Sequence, residues 1–256
     1  MNEALLHPIF VGHGSPMNVI EHNSYTEFLH HYGRQIPRPR AVLVISAHWQ
    51  THGTYITGNP YPHQIYDFYG FPEALYEIQY APEGSEKIAE ELASAGIGVK
   101  VDLRRGIDHA AWAVMKHLFP EADIPLLEIS LDVDKSEEEH YQLGKKIREN
   151  VASDILLIGS GNVVHNLYEI NPEENALPFH WALAADRWIQ EKMDTNDMTA
   201  LIHYQEKLPQ YQKPIPTNEH YLPLLYILGM KDGQTPVKVL HEGFQNGSVS
   251  MRCLEV

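Results

Sequence analysis

The sequence is short of cysteine, of cationic side chains and of long apolar runs. One cysteine, Cys253, in 256 residues excludes an internal disulfide and any cysteine-built metal site. Lys and Arg number 19 against 34 Asp and Glu, for a net charge of −15. A binder of the phosphate backbone needs a basic face, so no nucleic-acid partner is expected. No apolar run approaches the roughly 20 residues that span a bilayer, so no membrane partner is expected either. Met1–Phe10 carries Glu3 and no basic stretch before an apolar core, unlike a secretion signal. Together with the lone cysteine this predicts a reducing, cytoplasmic setting. What remains is ordinary globular composition, 43% hydrophobic and 21% charged. With no repeat, low-complexity tract or composition break, one domain over residues 1–256 is expected.

Short apolar runs read as strands: Pro8–Gly12, Ala41–Ala47, Gly98–Val101, Ile124–Ser130 and Asp154–Gly159, with Pro236–His241 and Ser248–Leu254 near the end. AVLVISA and DILLIG are continuous rather than alternating, which suits strands covered on both faces. Helical patterns lie between them. Ser85–Ala95 places Ile88, Leu92 and Ala95 on one face, and Ser136–Val151 places Leu143, Ile147 and Val151 likewise. Ser136 and Glu139 have the spacing of a capping box. This alternation predicts an α/β fold around a mostly parallel sheet. Asn171–Pro178 and Gln205–Asn218 read as Pro-rich connections. Asn218–Leu228 reads as a helix start that tolerates Pro223 in its first turns. Asn59–Phe71 is a loop rich in Pro, Tyr and Phe, either a packed surface loop or the wall of an aromatic pocket.

Histidine is abundant, with 16 in the chain, and its placement is informative. His13 follows PIFVG, His48 follows AVLVISA and His165 follows DILLIG. A parallel sheet binds ligands beyond the carboxyl ends of its strands, so three strands would bring these rings to one edge. Any one of them alone reads better as a hydrogen-bonded turn residue. His220 stands at a helix start beside Glu219; helix neighbours point about 100° apart, so one of the two is expected to face a given site. His109 follows Asp108 ahead of a short helix and reads equally as a cap or core histidine. His22, His30, His31, His140 and His203 sit in polar contexts and are assigned no role.

Other chemistries match less well. Gly12-His13-Gly14-Ser15 and Gly159-Ser160-Gly161-Asn162 follow strands but fit neither a phosphate loop, a dinucleotide fingerprint nor a nucleophile elbow. A serine hydrolase using Ser15 or Ser160 is a weak alternative, and Cys253 near the chain end is poorly placed as a nucleophile. A nitrogen-rich site suits divalent iron, zinc, copper or nickel. A site built from distant segments at a sheet edge resembles a catalytic centre more than a closed structural zinc.

HGSP, SAHW, GIDHAAW, GSGNVVHNL and EHYLPLLYILG occur in this order between His7 and Leu240. Together they resemble the class III extradiol ring-cleavage dioxygenases, most closely the 4,5-DOPA extradiol dioxygenase-like subgroup. The resemblance implies a three-layer α/β/α sandwich around a mostly parallel mixed sheet, forming a single catalytic domain. It implies a non-haem Fe(II), with zinc in its place in crystals, and as partners a catechol and O2. His13 and His48 match two metal ligands. Where the family pattern has a glutamate as third ligand this chain reads Glu219-His220; His220 is taken as the ligand, with Glu219 the alternative. His165 matches the catalytic acid/base and is also a candidate fourth ligand, and His109 matches a catalytic histidine near substrate or oxygen. The implied reaction opens the ring beside the diol, and both oxygen atoms enter the product. A zinc hydrolase on the same scaffold and a catalytically silent metal-binding protein are the competing readings. Tyr66, Phe68, Tyr69 and Tyr221 are expected to line the substrate pocket, and the sequence names neither the catechol nor the oligomeric state.

Overall fold

The computed structural model describes residues 6–233 and 235–256. The reading of Met1–Phe10 as lacking a leader therefore lies partly outside the described residues. In chain order the strands are β1 (Ile9–Gly12), β2 (Ala41–Thr51), β3 (Thr54–Thr57), β4 (Val99–Asp102), β5 (Leu126–Asp132), β6 (Ile155–Gly161), β7 (Lys238–His241), β8 (Phe244–Gln245), β9 (Val249–Ser250) and β10 (Cys253–Glu255). The helices are α1 (Ser24–Gln35), α2 (Glu73–Tyr76), α3 (Glu86–Ser94), α4 (His109–Leu118), α5 (Glu137–Asn150), α6 (His180–Asp194), α7 (Met198–Ile202), α8 (Tyr204–Lys207) and α9 (Leu222–Gly229). Eight strands form one sheet in the order β4-β3-β5-β2-β6-β1-β10-β7. Its centre, β5-β2-β6-β1, is parallel. Antiparallel β3 and β10 flank this centre, so the sheet is mixed.

The continuous apolar strands are buried on both faces, as their composition demands. Leu43 and Ile45 of β2 pack with α3, α5, α6 and α9 on one side. Val42 and Val44, which alternate with them, pack with α1 and α4 on the other. That is the expected three-layer α/β/α arrangement. Among the described residues, no helix is long and apolar enough to cross a membrane.

Local signals place several elements. Ser136 and Glu139 form a reciprocal capping box at the start of α5. Two expectations need correction. The helix expected over Asn218–Leu228 begins only at Leu222, because Pro223, which lacks an N–H, settles in its first turn and leaves 218–221 as a turn. Ser248–Leu254 divides between β9, paired with β8, and β10, in the main sheet. Strand β3 and helices α1, α2, α6 and α7 had no reading from the sequence, and the connection expected over Gln205–Asn218 opens with the short helix α8.

Register explains why the strand-end histidines meet. Val11 of β1 and Ser46 of β2 both pair with Ser160 of β6. His13 and His48 each lie two residues beyond that row. Side chains two apart on a strand share a face, so both rings extend past the carboxyl edge on the side of Ser160. The β2–β5 register also shifts between Ile45 and Gln50, a bulge that contains His48.

Candidate metal centre

His13, His48 and His220 bring one ligand nitrogen each to within 4.8 Å of one another. Their ring centroids lie 5.0–5.2 Å apart. All three are largely buried: His13 and His220 are 5% and 7% exposed. Each arrives on a different element, His13 after β1, His48 in the bulge of β2 and His220 in the turn before α9.

The Nδ1 atom of each ring is held by an oxygen. Ser160 Oγ lies 3.0 Å from His13 Nδ1 and donates its own proton to Ala110 O at 2.6 Å. Ser160 therefore accepts from His13 Nδ1–H. Asp67 Oδ2 accepts from His48 Nδ1 at 2.9 Å. Glu219 Oε1 accepts from His220 Nδ1 at 3.0 Å. With the Nδ1 protons committed, each Nε2 of a neutral ring is a bare lone pair. His13 Nε2 and His48 Nε2 face each other at 3.3 Å. Two bare nitrogens at that distance repel unless a proton or a cation lies between them. The donor set thus fits a divalent metal held by neutral imidazoles with oriented outer partners.

The electrostatics favour neutral rings at His13, His220 and His165, but not at His48. Burial is the largest influence on His13, His220 and His165 and holds all three well below the usual histidine range. Burial acts on His48 in the same direction, but the Asp67 hydrogen bond and the charges of Asp108 and Asp67 outweigh it and raise that ring. Asp67 experiences burial too, yet the hydrogen bonds from His109 and His48 pull its carboxyl below the usual carboxylate range.

The remaining histidines flank this trio. His165 stacks on His220 with centroids 3.6 Å apart and planes 11° from parallel. It groups with Glu219 and His220 rather than with His13 and His48. His109 is the first residue of α4, and its ring lies 4.2 Å from His48. Asp108, just before it, caps the helix and accepts both from Ala110 N–H and from the Ser46 hydroxyl. Ser46 in turn accepts from His48 N–H at 3.1 Å, which joins α4 to the bulge. Beneath Asp108, burial pushes the Glu128 carboxyl well above its ordinary range, and its Oε1 accepts from Asp108 N–H at 2.7 Å.

A cavity of about 640 Å³ opens over the centre. Its walls include His13, His48, His109, His165 and His220, with Phe68, Tyr69, Phe71 and Met17 as apolar surface and Glu21 and Glu174 among its acids. Phe68 and Tyr69 are thus where the aromatic-pocket reading expects them. Tyr66 and Tyr221 are not. The Tyr66 hydroxyl donates to Ile78 O and its ring packs on Trp112. Tyr221 is fully buried in the core, with its hydroxyl on Leu201 O. Glu219 and His220 also depart from expectation: both reach the site, because 218–221 is a turn and the helical angle between neighbours does not apply. Ser160 is fully buried with its proton given to a carbonyl, which removes it as a nucleophile. The Cys253 thiol is buried and pushed up to about 12.

Asp67 escaped the sequence reading. It is the one acid within Asn59–Phe71, an isolated charge in an aromatic loop, and that was the available signal.

Comparison with known proteins bears on this centre. Residues 9–251 match the family described as the catalytic LigB subunit of aromatic ring-opening dioxygenase. A 4,5-DOPA dioxygenase extradiol from Escherichia coli (strain K12) is 37% identical over 262 residues, covering 100% of this chain and 96% of that one. A 4,5-DOPA dioxygenase extradiol from Beta vulgaris is 32% identical over 250 residues, covering 94% and 92%. A crystal structure of an uncharacterized Escherichia coli K12 protein superimposes with a TM-score of 0.82 at 34% identity, over 98% of this chain and 99% of that one.

Proposed function

This chain belongs to the LigB family of aromatic ring-opening dioxygenases and is an extradiol enzyme of that family, and from this premise we propose that it is a non-haem Fe(II) enzyme opening the ring of a catechol such as DOPA. The observation that carries the metal reading is the convergence of one nitrogen each from His13, His48 and His220 within 4.8 Å, every ring held at Nδ1 by an oxygen. His13, His48 and His220 would hold the metal, with Ser160, Asp67 and Glu219 as their outer partners. Ferrous iron, when bound, supplies the redox chemistry that lets dioxygen attack the ring, which zinc lacks.

The chain's own groups do the rest. Phe68, Phe71 and Met17 take the aromatic ring between apolar surfaces and exclude water from it. His165, kept neutral by burial, accepts a phenolic proton and returns it as the ring opens. Such acid/base help is worth about 10²–10⁴-fold. His109 gives its Nδ1 proton to Asp67 at 2.9 Å, which leaves its Nε2 for substrate or oxygen.

Oxygen uptake with L-DOPA tests the reading, using protein stripped of metal and reloaded anaerobically with Fe(II), beside a zinc-loaded control. Uptake and a yellow ring-opened product with iron alone are expected. An iron-loaded sample that consumes no oxygen with any of a panel of catechols overturns it, and ester or amide cleavage by the zinc sample would put a hydrolase in its place.

A further inference from the structure

Asp67 is the one described side chain that holds two histidines of the site at once. Its Oδ2 accepts from His48 Nδ1 and its Oδ1 from His109 Nδ1, both at 2.9 Å. Oδ1 also accepts from the backbone N–H of His109 at 3.0 Å. This carboxylate sits at a boundary within its loop. The stem before it is tied to the body: Ile107 N–H donates to His63 O, Ile65 N–H to Ile107 O and the Trp112 indole to Ile65 O, all at 2.8–2.9 Å. Beyond Asp67 the chain forms the aromatic wall, Phe68–Phe71. Among the described residues, the hydrogen bond it receives is Tyr76 OH to Phe68 O, stretched to 3.5 Å. Gly70 there has φ of 79°, and Tyr69 is 91% exposed. Phe68 meets the His109 ring edge-on at 5.4 Å, and Asp67 fixes that ring.

We infer that Asp67 is a positioning residue that transmits occupancy of the metal centre to the substrate-binding wall. The inference rests on the metal reading above. A metal on His48 Nε2 fixes the plane of that ring and commits its Nδ1–H to Asp67. The carboxylate, now held on one oxygen, fixes His109 with the other, and His109 presents a set face to Phe68. Without metal the His48 ring loses that anchor, Asp67 loses a fixed partner, and the wall has little else of hydrogen-bonded structure to keep it in place. Phe68 also packs on Tyr66, Phe71, Tyr76 and Trp112, so the wall persists without metal but is set in place over a centre able to use it. Asp67 also groups with His48 and His109 within 4.8 Å; with the metal on His13, His48 and His220, the loop registers it through that one side chain.

Hydrogen exchange read peptide by peptide tests this, with Zn(II) as a redox-inert probe and the full chain in stripped and loaded forms. Loading is expected to slow exchange at residues 67–71, while the stem at 63–66 changes little. In Asp67→Asn, competition with a chromophoric chelator should show zinc binding about 10–100-fold weaker. At saturating zinc the variant's wall should exchange as fast as in stripped wild type. A wild-type wall indifferent to bound zinc, or an Asp67→Asn wall protected as in wild type, overturns the inference while the metal reading stands. Failure of the wild type to bind zinc at all overturns both. The wild-type comparison decides the matter even if the variant does not fold.

Discussion

His117 and His140 have no part in the metal centre, yet burial holds each of them down to about 4 from an ordinary 6.5. His117 donates from Nε2 to Asn18 O and meets His30 at 3.0 Å, and His140 shares a hydrogen bond with the Tyr226 hydroxyl. The unfolded chain protonates both rings near 6.5, whereas the folded chain resists until about 4. Across that window the unfolded state binds more protons, so stability is full above about 6.5 and falls as pH drops toward 4. Urea midpoints measured at about pH 7 and about pH 5 should show the loss. His140→Gln, which keeps a polar partner for Tyr226 and does not titrate, should flatten part of the slope. A variant as pH-sensitive as wild type would assign the effect elsewhere. His140 was given no role in the sequence and His117 had no reading there; only burial distinguishes them from exposed neighbours such as His31.

Helix α9 and the turn before it approach α5 and the end of β6 closely enough to need missing side chains. A Cβ on Gly161, at the end of β6, would lie 2.2 Å from the carbonyl of His220. A Cβ on Gly144 of α5 would lie 2.2 Å from the carbonyl of Tyr226. Either addition forces backbone apart, at a cost of about 1–3 kcal/mol. The two positions differ in what the displaced backbone carries. Gly161→Ala shifts His220 itself, so it should weaken metal binding about 10-fold or more, as a misplaced ligand or outer partner does. Gly144→Ala should lower the urea midpoint while leaving metal affinity near wild type. Chelator competition and denaturation on the two variants separate these outcomes; equal metal affinity in both would show that the His220 turn adapts freely. Helix α9 was legible as an apolar stretch, but its true start was not. Pro223 favours a start just before it, and the turn it leaves is held against the end of β6 by the Asn162 N–H to His220 O hydrogen bond, which the local sequence does not show.

The whole molecule closes through its C-terminal segment. Arg252 is 3% exposed and pairs with Asp186 of α6, while its other amino group donates to Gln190. The backbone carbonyl of Arg252 accepts from Gly12 N–H at 3.0 Å, immediately before His13. This ion pair binds the last strands to α6 and places them against the strand that carries the first histidine. Arg252→Ala leaves Asp186 buried without its partner, a loss of about 3–5 kcal/mol. Chemical denaturation should show it, and a loss under about 1 kcal/mol would mean that solvent reaches Asp186 freely. The net charge of −15 gave no hint of this buried cation, because a composition records numbers and not depth.

The apolar strand runs, the capping box of α5 and the histidines set just past strand ends are local patterns. They follow from side-chain periodicity and backbone propensity, and so the α/β class and most of the histidine site were readable from the chain. The partners of those histidines were not. Ser160, Asp67 and Glu219 become outer partners only when β6, the aromatic loop and the turn before α9 converge, because a hydrogen bond depends on distance and direction between segments far apart in sequence. The same reason removes Tyr66 and Tyr221 from the pocket. An aromatic side chain in a loop or near a helix start has the same chemistry whether it faces a cavity or the core, and tertiary packing alone chooses between them.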